Sequence, residues 1–409
     1  MVELSRPREP FSYVAGLINF VAVFFLVWAL WYVLMHPNGA MKLYTPMYGF
    51  SLVVTFLCTI VLMSKVWNFY PFAESSPADS ARIGRGILLT AVAFVLMLVI
   101  VYVLFREFIG RFGVAYFSPQ SIVASGGTGA EPLNARENAS TALIYFATAF
   151  LWWALAWNLG FGRWPWTRDT RGVGAWSRTF AVLFFTIVTF VILFHPHVCY
   201  LFYPPQNKAG VEPWWCNFAG TGSAYFSLGL VLCSLAWLII SDLLWEGYPW
   251  KMLQRDGQGT FWSGAATMVG TLILGGVTFI LLLKLMNVYW MEPFEGGQYT
   301  DAPYFRYLHT GEIGGFVILA AFMLAVYFNN IPNALSLPLR ALVRTVIALA
   351  AGLAIYWFYY SSATTVILGK VPGIAQPDDT PLVWTILYLS VIMVQADFFQ
   401  NWPLRRPAR

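Results

Sequence analysis

Ten long apolar stretches constrain the fold of this chain more than any other feature. They cover about residues 13–35, 46–66, 83–105, 141–159, 177–194, 222–245, 260–286, 312–331, 340–362 and 381–398. A helix needs about 20 apolar residues to cross a bilayer. The stretch from Leu88 to Phe105 is apolar on every side, whereas barrel strands alternate polar and apolar residues. The pattern predicts an all-α integral membrane protein of about ten transmembrane helices.

Composition and charge agree with this class. Hydrophobic residues make up 59% of the 409 residues and charged residues only 11%, whereas soluble domains carry about 25% charged residues. The net charge of +5 is what a positive-inside topology produces, so no nucleic-acid partner is expected. Met35-His36-Pro37 follows the first stretch without a small-x-small cleavage site, so we expect this helix to be retained.

Four of the even-numbered stretches end in an aromatic residue followed by proline, at Tyr70-Pro71, Trp164-Pro165, Tyr248-Pro249 and Trp402-Pro403. Proline ends a helix, and aromatic rings favour the membrane-water boundary. The remaining even-numbered stretch keeps the proline in Ile331-Pro332 but lacks the aromatic residue. The recurrence predicts five two-helix hairpin repeats, at approximately residues 13–72, 83–166, 177–250, 260–338 and 340–404.

The distribution of Lys and Arg predicts the orientation. The N-terminus, the connections after even-numbered helices and the C-terminus hold 16 of these residues, and the other side holds 8. Both termini and the aromatic-proline turns are therefore predicted to be cytoplasmic, in the inner membrane of a bacterium. External loops are expected at approximately residues 106–140 and 195–221.

All four histidines fall at predicted external helix ends, which points to a metal site. His195 and His197 are spaced to chelate one transition metal, and His36 is placed to supply a third ligand. His309 and Glu312 begin the eighth helix as further partners. Copper, iron or haem would suit such a site. The alternative is that these are amphipathic interfacial residues whose ring tips reach water.

Two of the four cysteines suggest a disulfide in the predicted loop that also carries His195 and His197. Cys199 and Cys216 share the predicted external loop, where a disulfide would pin it in an oxidising compartment. That pairing competes with Cys199 as a metal ligand. Cys58 and Cys233 lie in mid-helix, as small packing residues do.

Ionisable residues are confined to helix ends, which argues against a proton pump built on a buried carboxylate. Asp242 and Asp397 come shortly before a proline turn, where they would line a polar vestibule and bind substrate, or bond loosened carbonyls at a broken helix end. In the seventh helix, Gly270, Gly275 and Gly276 allow either an unwound, oxygen-lined segment or close helix packing.

Tryptophan is unusually frequent, with 19 residues. Trp152, Trp153 and Trp157 in the fourth helix are candidates for the wall of a site for a flat apolar ligand, and interfacial anchoring is the alternative.

Three functional classes remain open. The first is a permease or channel for a small neutral or aromatic solute. The second is a membrane-embedded metal- or haem-dependent enzyme that acts on a lipid-soluble substrate at the external face. The third is an anchoring or assembly subunit of a larger membrane complex. The expected partners are the lipid bilayer, the solute or substrate, and other membrane subunits or a second copy of the chain.

Overall fold

The computed structural model describes residues 12–36, 38–43, 45–72, 79–127, 129–166, 172–195, 198, 225–255, 258–289, 305–361 and 381–404. This part of the chain holds ten helices long and apolar enough to cross a membrane. They are α1 Tyr13–Leu34, α2 Met47–Val66, α3 Ser80–Phe112, α4 Pro132–Gly160, α5 Gly172–Phe194, α6 Tyr225–Leu243, α7 Phe261–Met286, α8 Arg306–Tyr327, α9 Leu337–Tyr359 and α10 Pro381–Phe398. The chain is a multi-pass membrane protein, and the prediction of about ten helices is confirmed.

The connection between α3 and α4 differs from the predicted loop at 106–140. α3 continues to Phe112, α4 begins at Pro132, and short helical segments at Ala115–Phe117 and Pro119–Ser125 lie between them. Ser118 caps the second segment by accepting a hydrogen bond from the Ser121 amide at 3.4 Å. This region is therefore largely helical, because polar residues continue both helices beyond the apolar core. Most of the other predicted loop, 195–221, lies outside the described residues.

Burial alternates along the chain. In the most apolar 18-residue window of each helix, 67–94% of residues are buried in the even-numbered helices and only 22–33% in the odd-numbered ones. Since lipid-facing residues count as exposed in a protein without its bilayer, the odd-numbered helices form the outer layer. The even-numbered helices are the core of the bundle.

The five even-numbered helices form a closed ring. α2 packs on α4, α4 on α6, α6 on α8, α8 on α10, and α10 returns to α2. Outer helices lie against this ring: α3 contacts α2 and α10, α5 contacts α4 and α2, α7 contacts α6 and α4, α1 contacts α10 and α8, and α9 contacts α8. The two helices joined through each of the first four proline turns thus pack together.

Every inner helix ends in the same backbone turn. The residue before the proline donates its amide to the carbonyl three positions earlier, as Tyr70 does to Trp67 at 3.1 Å. The residue before that donates its amide to the carbonyl six positions earlier, as Phe69 does to Met63 at 2.8 Å. The same two bonds occur before Pro165, Pro249, Pro332 and Pro403, and all five proline peptide bonds are cis. The fourth turn keeps this geometry although its aromatic residue is replaced by Ile331.

The two residues before each X-Pro pair have positive φ, and their composition explains how this is tolerated. Asn68 has φ 51°, Asn329 51°, Asn330 56° and Asn401 61°. Asparagine enters the left-handed region more readily than most residues, and glycine does so freely. Gly162 and Gly247 occupy such positions in the second and third turns. The sequence signal for the turn is therefore longer than the aromatic-proline pair.

All five turns lie at one end of the bundle, which we call the proline end. Side-chain hydrogen bonds connect neighbouring turns and helix ends: Arg163 with Asn68, Asn330 with Leu243, and Tyr327 with Gln395.

Gly275 lets α7 pack directly on the backbone of α6. A Cβ at this position would lie 2.6 Å from the amide nitrogen and Cα of Ser234, and α7 is continuous through the glycines. The structure thus shows close packing here and no unwound segment. We expect Gly275→Ala to lower the free energy of unfolding by about 1–3 kcal/mol, because the rigid backbone of α6 must move.

Gly276→Ala is the matched control for this prediction. A Cβ at Gly276 would lie 3.9 Å from its nearest neighbour, a methyl carbon of Leu230. We therefore expect a change within about 0.5 kcal/mol. Equal effects of the two substitutions in a denaturant titration of the detergent-solubilised protein would contradict the packing argument.

Candidate functional site

An axial cavity lies inside the ring of inner helices and is lined by all five of them. Its volume is about 70 Å³. The lining residues are Leu57, Val61, Lys65, Leu151, Leu155, Leu159, Leu232, Leu235, Ile239, Asp242, Leu243, Gly315, Ile318, Phe322, Leu382, Thr385, Ile386, Leu389 and Met393.

Most of this lining is aliphatic, and three polar side chains interrupt it. The Thr385 hydroxyl is satisfied by the Pro381 carbonyl of its own helix at 2.8 Å. The other two, Lys65 and Asp242, sit on the last turns of α2 and α6, at the proline end. The cavity surface is therefore almost entirely apolar, and the two ionisable residues of its lining lie at the proline end.

Lys65 forms a buried ion pair with Asp397. The Lys65 Nζ lies 2.9 Å from Oδ1 and 2.7 Å from Oδ2 of Asp397, and the two side chains are only 6% and 9% exposed. The pair joins α2 to α10 where the ring closes. Since each charge compensates the other in a poorly solvated place, both are tolerated there.

Asp242 lines the same cavity but forms no hydrogen bond or ion pair with any residue that the structure describes. The positive groups that act on it electrostatically are Lys251, Lys65 and the N-terminal amino group. The Lys251 Nζ donates to the Glu246 carbonyl at 2.6 Å, and the Lys65 Nζ is held by Asp397. The structure thus brings the two predicted carboxylates close to Lys65: Asp397 is paired with it, and Asp242 is a residue of the cavity lining.

Arg163 connects the first two proline turns. It donates through Nε to the Asn158 side-chain oxygen at 2.8 Å and through a terminal nitrogen to that of Asn68 at 3.2 Å. Burial, with a smaller effect of nearby Arg178, lowers the pKa of Arg163 to about 10. It stays charged at neutral pH. Asn68 and Asn158 therefore have a structural role at the helix ends.

Two buried arginines on outer helices bind the ends of inner helices, and the sequence analysis did not single them out. Arg178 of α5 donates to the Val66 carbonyl at 2.7 Å, and Arg344 of α9 donates to the Leu244 carbonyl at 3.0 Å. Each side chain is 1% exposed. Their common signal is an Arg-Thr pair early in an apolar stretch, at Arg178-Thr179 and Arg344-Thr345.

The threonines of the two Arg-Thr pairs also make equivalent contacts. Thr179 accepts a hydrogen bond from the Trp67 indole at 2.9 Å, and Thr345 accepts one from the Trp245 indole at 2.7 Å. Each tryptophan lies three residues before the aromatic residue of its proline turn. The same set of contacts thus fixes α5 to the end of α2 and α9 to the end of α6.

Glu246, in the third proline turn, gives a testable pH dependence. Burial by itself would raise its pKa, but Arg344 and Arg340 outweigh it and hold that pKa below the ordinary value of 4.5. The stability from this group is therefore fully present above about pH 4.5 and is lost as the pH falls through the folded-state pKa. We expect Glu246→Gln to reduce the acid loss of thermal stability between about pH 5 and pH 3.

The matched control replaces a carboxylate that lies away from this cluster. Glu107 is 48% exposed and pairs only with Arg111, at 2.8 Å. Melting curves of Glu107→Gln should follow those of the parent protein across the same pH range. An unchanged acid slope in Glu246→Gln would show that this ion pair does not contribute.

The opposite end of the bundle holds two buried carboxylates on inner helices. Glu137 of α4 accepts hydrogen bonds from the Thr45 hydroxyl at 2.6 Å and the Met47 amide at 2.8 Å, so it caps the start of α2. Glu312 of α8 pairs with Nδ1 of His309 at 2.5 Å and accepts from the Tyr360 hydroxyl at 3.2 Å. The structure brings His309 and Glu312 together as predicted neighbours.

Of the three other predicted histidine ligands, the structure describes His36 and His195. His36 stacks on Tyr32 and accepts the Asn38 amide at 3.1 Å, and His195 lies edge-on to the Tyr116 ring. His197 and the predicted disulfide partners Cys199 and Cys216 lie outside the described residues. Within the described part of the chain, no three His, Cys, Asp or Glu side chains are grouped as a metal site would require.

The predicted tryptophan wall lies beside the axial cavity rather than on it. The Trp152 indole donates to Ser234 of α6 at 3.0 Å, and the Trp153 indole donates to Thr189 of α5 at 2.7 Å. Trp157 stacks on Phe161. The residues that α4 contributes to the cavity lining are leucines. In the structure these tryptophans connect neighbouring helices.

Comparison of the chain with protein-family models, with curated proteins and with solved structures yields no match.

Proposed function

We propose that this protein is a permease or channel for a small solute, with the solute path along the axis of the inner ring. One observation carries the proposal: all five inner helices contribute to a single cavity on that axis. A bundle that served only as an anchor would gain from filling this space, because voids in a packed core cost stability.

The size of the cavity limits the solute. Its volume of about 70 Å³ is roughly half that of an engineered cavity of about 150 Å³ that binds benzene. Since a water-sized group needs about 10–15 Å³ of such volume, the cavity holds about five groups of that size. We therefore favour a solute of about four or five non-hydrogen atoms over the aromatic ligands that the tryptophan content suggested.

The lining supports a solute without a large hydration shell. Residues such as Leu155, Leu235 and Ile318 offer no hydrogen bonds, so a strongly hydrated ion would lose water without replacement along this part of the path.

Flux through liposomes tests the proposal, with urea, acetamide and glycerol as neutral probes. Ile318 is 3% exposed and lines the cavity. We expect urea flux above that of protein-free vesicles, reduced about tenfold or more in Ile318→Trp and increased in Ile318→Ala. Glycerol, with six non-hydrogen atoms, should pass more slowly than urea.

Ile273→Trp is the matched control, because Ile273 of α7 is 60% exposed on the lipid-facing surface. This variant should conduct urea like the parent protein. If none of the three probes crosses faster than in protein-free vesicles, or if Ile318→Trp and Ile273→Trp behave alike, the axial path is not used and the proposal fails.

The architecture also supports an internal repeat. The sequence predicts hairpins that end at the proline turns; we propose instead a unit that begins with an inner helix and ends with the outer helix after its proline turn, which α2 to α9 contain four times. The equivalent contacts of Arg178 with Val66 and of Arg344 with Leu244 support this unit. We further propose that the proline end faces the cytoplasm of a bacterium. Cysteine labelling at position 164 from one side of the membrane tests the orientation.

A further inference from the structure

Two arginines and two tyrosines lie together at the end of the bundle opposite the proline end, where α2, α3 and α4 meet. The guanidinium carbon of Arg106, on α3, lies 5.2 Å from the centre of the Tyr48 ring and 4.9 Å from that of the Tyr102 ring. The guanidinium carbon of Arg136, on α4, lies 4.8 Å from the centre of the same Tyr48 ring. Two cations thus share one aromatic ring, whose face attracts positive charge. We call these four residues the arginine-tyrosine cluster.

The cluster offers hydrogen-bond donors without acceptors. Neither Arg106 nor Arg136 forms a hydrogen bond with any residue that the structure describes, and the Arg136 Nε is buried. A guanidinium group has five N–H donors and no acceptor. The hydroxyl oxygens of Tyr48 and Tyr102 lie 2.5 Å apart, so one hydroxyl donates to the other and the second keeps its proton for a further acceptor. A ligand that fits this cluster must therefore supply several acceptor atoms.

The positive charge of the cluster is only half compensated. The carboxylate that acts electrostatically on Arg106 is Glu137. Its two oxygens accept hydrogen bonds from the Thr45 hydroxyl at 2.6 Å and the Met47 amide at 2.8 Å. The Arg136 Nε lies 3.7 Å from Glu137, which is beyond hydrogen-bond distance. Two guanidinium charges and one carboxylate leave one positive charge in excess.

The surroundings of Arg106 indicate where the ligand comes from. Arg106 directly follows the apolar stretch that ends at Phe105, and it lies in the last two turns of α3. Next to it on this outer helix, Val103, Leu104 and Phe108 are 58%, 41% and 62% exposed. Apolar side chains on an outer transmembrane helix contact acyl chains, and the residue that ends the apolar stretch lies near the lipid headgroups. The cluster therefore borders the lipid.

We propose that the arginine-tyrosine cluster binds the phosphate group of an anionic membrane lipid, with the acyl chains along the exposed face of α3. A guanidinium group donates two parallel hydrogen bonds to a phosphate, whose oxygens are the acceptors that the cluster lacks. The single negative charge of a phosphodiester balances the excess charge. None of the four residues lines the axial cavity, so this site is separate from the proposed solute path.

Native mass spectrometry of the detergent-solubilised full chain with added phosphatidylglycerol tests the assignment. This lipid has one phosphate and no positive group in its headgroup. We expect Arg106→Gln and Arg136→Gln each to bind it about tenfold more weakly than the parent protein, and the double variant about a hundredfold, because charge-assisted hydrogen bonds are lost. Arg106→Lys should recover only part of the binding, since an ammonium group lacks the planar fork.

Arg111→Gln is the matched control. Arg111 lies on the same helix, its side chain is 52% exposed, and it pairs with Glu107 at 2.8 Å. This variant should bind phosphatidylglycerol like the parent protein. Because neither arginine of the cluster bonds to the described part of the chain, all these variants should melt at the temperature of the parent protein without added lipid. Lost binding would then not be lost folding.

Three results would overturn the inference. Equal binding of phosphatidylglycerol by the parent protein, Arg106→Gln and Arg136→Gln would exclude the cluster as the site. Displacement of the lipid by inorganic phosphate at matched ionic strength would assign the cluster to a soluble anion. Competition by diacylglycerol, which has the same acyl chains without the phosphate, would show that only the apolar face of α3 binds.

Discussion

Asp397→Asn is expected to lower the free energy of unfolding by about 3–5 kcal/mol, because it removes the carboxylate that pairs directly with the buried Lys65 ammonium. The Lys65 side chain is 6% exposed, and its Nζ lies within 2.9 Å of both Asp397 oxygens. The measurement is a denaturant titration of the detergent-solubilised protein, followed by tryptophan fluorescence.

Two comparisons separate a buried pair from a general charge effect. Glu107→Gln breaks a pair of similar length, 2.8 Å, whose side chains are about half exposed, and should change stability by at most about 1 kcal/mol. The double variant Lys65→Met/Asp397→Leu removes both charges and should recover most of the stability lost in the single variant. A double variant as unstable as Asp397→Asn would contradict this account.

Arg344→Met is expected to lower the free energy of unfolding by about 3 kcal/mol, because each of the three acceptors of Arg344 loses a hydrogen-bond donor. Arg344 donates to the Leu244 carbonyl at 3.0 Å, to Glu246 at 2.9 Å and to the Asn333 side chain at 2.6 Å. Leu244 is 0% exposed, so its carbonyl at the end of α6 loses a donor in a buried place. Arg344→Lys should restore little, since an ammonium group lacks the planar fork that serves several acceptors.

Arg340→Met is the control on the same helix. Arg340 pairs with the same carboxylate, Glu246, at 2.6 Å, but its side chain is 24% exposed. We expect a loss of at most about 1 kcal/mol. Equal losses at positions 340 and 344 would show that the ion pair with Glu246, rather than the capping of α6, is what stabilises this end.

The positions of the spans follow closely from the sequence. The stretch predicted at 46–66 is observed as Met47–Val66, and the one at 381–398 as Pro381–Phe398. The length of an apolar run is itself the physical requirement for crossing a bilayer. The ends of α3 and α4 extend further than predicted, because a helix outside the hydrocarbon core needs caps and packing partners rather than apolar residues.

The sequence predicts only part of the candidate site. Asp242 and Asp397 were recognised from their place before proline turns, but the partner of Asp397 is 332 positions away along the chain. The sequence predicts the tryptophans of α4 as candidates for a ligand wall, whereas the indole groups of Trp152 and Trp153 donate hydrogen bonds to neighbouring helices. Arg178 and Arg344 were not singled out, because an arginine near the end of an apolar stretch is ordinarily explained by contact with water or headgroups.

By itself the sequence determined the class of protein, the number of helices and the points at which the inner helices end. Only the tertiary structure decided which helices form the ring, where the cavity lies and which charges are paired. The physical reason is that lipid and protein interior are both apolar. The most apolar windows of α2 and α5 therefore have nearly equal mean hydropathies of 2.0 and 2.1, although their buried shares are 78% and 33%. Packing between helices, which hydropathy does not record, separates the two.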